Sequence, residues 1–550
     1  MIRLHYTFWL GLVTLFVGRL LFGLTSEFFF EDETQIYLMG LRSYTTGSWP
    51  YFGPDVVWTQ SEIPGALQPL LVGLPLAIAP FPEAPFVLLN LLSFAALGAL
   101  AWYIGVRLPS LPRWLIWGWL MTLPWTLQYS THIINPSYVL PAAIVFFVGF
   151  FEAVPSLTAG RLPSWAAFSM MGAGVTWIMQ IHMSWPVLLP YAAFAWLSNR
   201  GGGIKSLGRF GAAFVAGAAI PALVLLPTIL QFGLTAGSGG VARNLQLRWV
   251  RPDVILTTLA RVFSFASLEI NRFIATDGAK RLVFFREHVW LVPFAVIVGT
   301  AGLVQPFWML ASWFRRKPGC REWPALRLVV AGTVALIYAS YSFVLEPPQA
   351  QAFYLVAPIS LIFAAYCWSM VDGPRSRKIA AWLLAINVVY QTGFALGRAP
   401  ERSLYKNRRV VAEAIRRKEP EMFGHRRSYA VEPGPTAIHD PSRPYDATID
   451  IQLRDAVHTV GWGRTLDWEV TVTNTNPRVA FRDLLYITTY RDGEGRTVEE
   501  RHEYIEDVFQ PFETRRVQLN DRFADFVFSS ATMRIAAAEA LLPLPPAGSQ

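Results

Sequence analysis

Eleven stretches of this chain are apolar over roughly the length a helix needs to cross a hydrocarbon layer, about 20 residues, and no other feature limits the fold so tightly. They cover 6–26, 85–106, 113–129, 138–154, 164–180, 185–199, 209–231, 288–312, 326–345, 353–371 and 379–396. Only 15% of the 550 residues are charged and 53% are hydrophobic, against about 25% charged in a soluble domain. Burying that much apolar surface requires a lipid phase. A soluble enzyme, a disordered scaffold and a disulfide-stapled mini-protein are excluded. The expected fold is a polytopic all-α membrane protein with about eleven transmembrane helices.

Net charge is +9, from 47 Lys and Arg against 38 Asp and Glu. Fifteen of these cations fall in alternate short loops, among them Arg107, Arg113, Arg161, Arg315, Lys317, Arg375, Arg377 and Lys378. Cationic loops stay on the cytoplasmic side, so the expected N-terminus is inside and, after an odd number of spans, the C-terminus is outside. Membrane localisation thus accounts for the charge, and no basic stripe with interleaved aromatics points to nucleic acid. Cys320 and Cys367 fall in a cytoplasmic loop and a span, so no disulfide framework is expected. Residues 66–80 are too short and proline-broken for a crossing and are expected to lie in the outer boundary layer.

The composition changes after residue 397. A transmembrane domain over 1–397, with outer loops at 27–84 and 232–287, precedes a basic helix and Pro-rich linker over 398–445. From 446 the apolar residues alternate, in ATIDIQL, LDWEVTVTN and AFRDLLYITTY, and strands are expected again near 513–519 and 525–536. This predicts an extracytoplasmic antiparallel β-sandwich over 446–540. It holds no cysteine and no metal-ligand spacing, so its role is expected to be accessory.

The chemistry points to the first outer loop. Glu31, Asp32 and Glu33 follow the first span directly, after Phe28, Phe29 and Phe30. Three carboxylates at a membrane boundary are costly unless they serve a purpose. Asp32 alternatively suits the cap of a helix running to about Ser43.

The run Asp32-Glu33-Thr34-Gln35-Ile36-Tyr37, followed by Gly47-Ser48-Trp49-Pro50, resembles the first periplasmic loop of lipid-linked-sugar glycosyltransferases of the GT-C type. The branch most similar holds protein O-mannosyltransferases and lipid A aminoarabinose transferases. Gln68-Pro69-Leu70-Leu71 stands where that branch has its interfacial helix, and Gln351 to Pro358, including Tyr354, resembles its late Tyr-(apolar)-Pro run. Two departures are visible: a single Pro69 replaces the usual proline pair, and Thr131-His132-Ile133-Ile134-Asn135-Pro136 lacks the second outer-loop carboxylate. His132 and Asn135 are then the polar residues available there.

The resemblance implies transfer of a sugar from a polyprenyl-phosphate donor to a glycan, lipid or protein acceptor at the outer face, among membrane lipids. It implies Asp32 as general base, with Glu33 beside it, because the acceptor must lose a proton as it attacks. The leaving phosphate needs fixed cations. Arg243, Arg248 and Arg251 in the long outer loop, with Arg261, Arg272 and Arg42, are the candidates. Gln180 and His182 near the end of the fifth run, Glu62, Gln351 and Tyr354 complete the expected substrate contacts. No cofactor is expected. No His/Cys/Glu set has metal-ligand spacing, and a divalent cation is not required by the sequence. The competing class is a transporter or flippase of a lipid-linked glycan, which would place ionisable groups near the bilayer midplane and show internal repeats. Arg19 is the clearest charge inside a span, and no repeat is found.

Overall fold

A computed structural model describes residues 2–26, 30–56, 61–234, 252–274, 278–315, 317, 320–342, 350–399, 412, 415–416, 418, 429–433, 445–460, 466–521 and 528–541. They form two compact units, Met1–Glu419 and Pro420–Gln550.

The first unit is helical. The chain runs through α1 (Ile2–Thr25), α2 (Phe30–Thr46), a hairpin of β1 (Phe52–Val56) and β2 (Ser61–Pro64), then α3 (Leu67–Ile78) and α4 (Ala84–Arg107). Next come α5 (Arg113–Thr122), α6 (Pro124–Gln128), α7 (Val139–Ala153), α8 (Ser164–Met179), α9 (Leu189–Ser198) and α10 (Gly203–Phe232). After these follow α11 (Pro252–Phe263), α12 (Ile270–Ile274), α13 (Gly278–Glu287), α14 (Val292–Trp313), α15 (Trp323–Ser342), α16 (Ala357–Trp368) and α17 (Pro374–Arg398).

Among the described residues, seven helices are long and apolar enough to cross a membrane: α1, α4, α7, α10, α14, α15 and α17, some with a 3₁₀ turn at the start. Large apolar side chains stand exposed on them, including Ile220, Leu223 and Leu230 of α10 and Phe307 of α14. In water that surface would be costly; in lipid it is the expected exterior. The chain is an integral membrane protein. The other four apolar runs form shorter pieces. The run 113–129 is broken between α5 and α6, 164–180 is the 16-residue α8, 185–199 is a 3₁₀ turn plus α9, and 353–371 is the 12-residue α16. Proline accounts for the breaks at Pro124 and Pro186, since it lacks an amide donor and clashes with the preceding turn. Where α8 and α10 cross, Gly172 and Gly217 let the backbones of Phe214 and Ser169 come within contact.

The break between α5 and α6 is fully accounted for. Pro124 has no N–H for Leu120 O, which accepts instead from Thr126 Oγ1 at 2.6 Å. Trp125 N–H turns away to Phe265 O at 3.0 Å. The freed Met121 O then accepts from Arg19 Nη1 at 2.8 Å, and Thr122 O from Asn387 Nδ2 at 2.6 Å. Arg19, fully buried on α1, also donates to Thr126 O and to Ser130 Oγ. An arginine inside a span is thus a donor for carbonyls that a proline has orphaned.

The acceptor side of that break comes from the long loop expected at 232–287. Its described part enters the bundle: α11 ends in an elbow at Ser264–Ser267, where Phe265 (φ 54°) and Ala266 (φ 61°) are left-handed, and α12 follows. Phe265 and Ala266 are buried, and Ser267 packs onto Gly302 of α14.

At the far end of α4 a cationic latch closes the bundle. The Glu152 carboxylate accepts from Tyr103 Oη at 2.6 Å, Thr158 Oγ1 at 3.0 Å, and the amides of Ala159 and Arg161 at 3.0 and 2.8 Å. Arg107 lies 3.5 Å from it and also donates to Tyr103 and to Leu157 O. Tyr366 donates to Glu322 at 2.7 Å, and Lys317 to Ser369.

The segment 66–80, expected in the boundary layer, contains α3. Twelve residues span only about 18 Å. Val72, Gly73 and Leu76 pack inward, with Val72 and Gly73 against Gly40 and Ser43 of α2, while Leu74 and Ile78 stand exposed.

The second unit is a β structure: β3 (Tyr429–Pro433), the helical turn α18 (Ala447–Asp450), β4 (Ile451–Val460), β5 (Leu466–Asn474), β6 (Ala480–Arg491), β7 (Thr497–Ile505), β8 (Thr514–Asp521) and β9 (Ser530–Leu541). The order is β7-β6-β9-β3-β4-β5-β8. All neighbours are antiparallel except β3 and β9. Residues 429–431 pair with β4 and 432–433 with β9, so β3 joins two halves. Trp468, Val470 and Val472 of β5 share one apolar core with Tyr486 and Tyr490 of β6 and Met533 and Ile535 of β9. Three details differ from expectation. β3 lies in the stretch read as linker, residues 447–450 are a helical turn, and β7 was not anticipated because its TVEERHEYI sequence is charged on an outer edge.

Candidate active site

The expected site lies at the end of α4 away from the cationic latch. α1 ends at Thr25, and Ser26 Oγ closes it by donating to Phe22 O at 2.7 Å. α2 starts at Phe30, so Asp32 sits within its first turn rather than at the cap expected of it. Acidic residues in a first turn face the positive end of the helix dipole. Asp32's side chain lies outside the described residues. Glu33 is buried, 5% exposed, and close enough to Tyr138 to interact with it electrostatically. Tyr37, a turn further on, donates to Pro82 O at 2.9 Å and anchors α2 at the start of α4.

The segment 125–138 forms the floor. His132 is buried and held on both sides: Nε2 is 2.7 Å from Ser26 O, and Nδ1 is 3.0 Å from Gln128 O. It therefore ties the end of α1 to this segment and has no ring nitrogen left for a substrate. Asn135 opens the 3₁₀ turn Asn135–Tyr138, and its Oδ1 has no hydrogen-bond partner among the described residues. The same holds for Trp125 Nε1, Gln128 Oε1, Ser137 Oγ and Tyr138 Oη. Buried polar atoms are rarely left without a partner, so five in one short segment mark a place for water or a polar ligand. Tyr354, in the 3₁₀ turn Ala350–Val356, is buried against Ser130 with Arg19 nearby. Its ring packs 5.1 Å from Trp125 and 5.6 Å from Tyr129. Gln351 shares that turn, its side chain outside the described residues.

One carboxylate escaped the sequence reading. Glu269, just past the elbow, is buried, 3.5 Å from Arg261 and within 3.4 Å of Tyr129 Oη. A lone acid in an apolar stretch was the available signal. Arg261, named with the phosphate candidates, is thereby committed to an ion pair.

The remaining expected residues lie elsewhere. Gln180 is buried and donates to Pro221 O at 2.9 Å, pinning α8 to α10. His182 bonds Ser184 Oγ at 2.7 Å, and burial pushes its imidazole down to about 4 from 6.5. Glu62 is half-buried on β2, in register with Asp55. Arg42 is exposed on α2, about 15 Å along the helix from Asp32. Arg243, Arg248 and Arg251 lie outside the described residues, as does the side chain of Arg272. Among the described residues, no group of three His, Cys, Asp or Glu side chains could hold a metal.

Fold and site together define a polytopic α-helical membrane protein with a buried carboxylate, Glu33, at the start of the helix that follows the first span, and a C-terminal β unit. No family model matches the chain, and no curated protein matches it. Among solved structures, it is similar to the crystal structure of ArnT from Cupriavidus metallidurans bound to undecaprenyl phosphate. Identity is 13%, coverage 74% of this chain and 79% of that one, and the TM-score 0.42. It is also similar to the cryo-EM structure of the arabinosyltransferase EmbB from Mycobacterium smegmatis. Identity is 11%, coverage 97% of this chain but 63% of that one, and the TM-score 0.36.

Proposed function

We propose that the chain is an integral-membrane glycosyltransferase that moves a sugar from a polyprenyl-phosphate donor to an acceptor at the outer face of the membrane. The observation that carries it is the enclosure of Glu33. A carboxylate buried at the start of the helix that follows the first span, near Tyr138, whose Oη has no hydrogen-bond partner among the described residues, suits a site that handles protons next to a lipid headgroup. The order of motifs along residues 1–400 supports the same reading.

In this mechanism the acceptor hydroxyl or amine loses its proton to Asp32 while it attacks the anomeric carbon, and the prenyl phosphate leaves with the bonding pair. Glu33, adjacent on α2, is buried near Tyr138 and adds a second negative charge beside Asp32. Arg243, Arg248 and Arg251 are the proposed phosphate contacts. The acceptor is a glycan, a lipid or a protein. Asp32 and Glu33 follow the end of the first span and do not lie at mid-span, where a transporter would bind its cargo.

The test is sugar transfer from a synthetic prenyl-phosphate donor by purified protein, with donor binding measured alongside. General-base help contributes about 10²–10⁴-fold. Asp32→Asn should therefore bind donor yet lose turnover in that range. Near-normal rates would remove Asp32 from the chemistry. A larger loss in Glu33→Gln would move the role to Glu33.

A further inference from the structure

At the end of the bundle remote from Glu33, an apolar crevice of about 300 Å³ lies between α5, α14 and α17. That volume is at the lower end for ligand pockets, about 300–1,000 Å³. Leu115 and Trp119 of α5, Val298 and Ala301 of α14, and Ala380 and Leu384 of α17 form its walls. Phe265 of the buried elbow closes its inner end, and Asp372 and Arg377 stand at its mouth. The side between α14 and α17 is open, for Ile379 is 61% and Leu383 37% exposed.

Length and charge select the occupant. From Ile379 to Asn387 the α17 wall rises about 12 Å, close to the thickness of one leaflet's hydrocarbon, about 15 Å. The mouth is cationic. Arg377 donates to Asp372 at 2.6 Å and to Ser110 O at 3.0 Å, which draws the start of α17 beside the start of α5. Arg113, Arg375 and Lys378 stand exposed at these two helix starts. With Asp372 offset by Arg377, three positive charges remain, and exposed Trp114 lies beside them at headgroup level.

We propose that this crevice binds one anionic glycerophospholipid, an acyl chain lying along α17 and the phosphate resting among Arg113, Arg375 and Lys378. Basic pockets between spans hold lipid headgroups through such charges, and a chain entering from this rim fits the wall without first crossing the opposite leaflet. The site is separate from the carboxylate turn, so the proposal stands whether or not the transferase reading does.

The experiment reconstitutes the full chain into vesicles of equal phosphatidylglycerol and phosphatidylcholine, extracts it gently, and reads the retained lipids by native mass spectrometry. Wild type should keep one phosphatidylglycerol, preferred by at least about tenfold. Ala380→Trp, which fills the crevice, should keep none. Arg375→Gln with Lys378→Gln leaves the crevice intact and should cut the preference below about twofold; it decides the matter alone if Ala380→Trp fails to fold. Equal retention of both lipids by wild type, or unchanged preference in the charge variant, would overturn the proposal. So would displacement of the phosphatidylglycerol by an added prenyl phosphate, which would assign the crevice to a donor lipid.

Discussion

A Cβ on Gly65 would lie 2.5 Å from Oε1 of Gln180. Gly65 has φ +107° and donates its amide to Tyr51 O at 3.0 Å, while Thr228 of α10 donates to the same carbonyl at 2.5 Å. Gly65 and Gln180 thus seat the first loop on α8 and α10. Gly65→Ala meets both backbone strain and overlap and should cost about 1–3 kcal/mol. It should also lower any activity that depends on the first loop. Thermal unfolding of purified protein checks this, and an unchanged midpoint would mean the loop is seated by other contacts.

Arg19→Met removes the donor for Met121 O and one donor for Thr126 O. A buried acceptor left without a partner costs about 1–3 kcal/mol, partly offset by relief of a desolvated charge. A net loss of about 2 kcal/mol is expected. Pro124→Ala alone should not restore the variant, because Trp125 N–H stays committed to Phe265 O. Denaturation of the two variants and their double mutant measures the coupling.

Glu152→Gln leaves one acceptor oxygen where the carboxylate accepts from four donors beside Arg107. Breaking a buried pair costs about 3–5 kcal/mol. Loss of the folded protein during extraction, or a matching drop in unfolding midpoint, is the expected outcome. Wild-type stability would assign the latch no net energy.

His182 is neutral in the fold, its pKa pushed from 6.5 to about 4 by burial. Its contribution is complete above the unfolded value and is lost as pH falls from 6.5 towards 4, because the unfolded chain takes up the proton first. Stability should decline across that window, and His182→Gln should flatten the decline. Parallel slopes in both proteins would exclude this residue as the source.

Ending the chain at Glu419 removes the whole second unit, β3 included, and keeps Ile415, whose carbonyl accepts from Tyr44 Oη at 3.3 Å. Among its described residues the β unit has no group of three His, Cys, Asp or Glu side chains that could hold a metal, and sugar transfer proposed for the helical unit should persist in part. Complete loss with the helical unit still folded would give the β unit a role in docking the acceptor.

The sequence by itself determined the solvent and the order of parts. Apolar runs of span length require lipid whatever they pack against, and alternation after residue 446 requires strands, because both periodicities are local. The acidic turn after α1 was legible for the same reason: its place is set by where the first span stops. Tertiary structure decided what each polar residue faces. Nothing local tells that Arg19 meets the carbonyl of Met121, that His132 is spent on Ser26 and Gln128, or that Glu269 reaches Tyr129. Those partners lie 100 or more residues away for Arg19, for His132 toward Ser26, and for Glu269. Hydrogen bonds are short-range and directional, so a side chain's role follows from which backbone the fold brings to it. The pairing of β3 with β9, across a stretch read as linker, was hidden for the same reason.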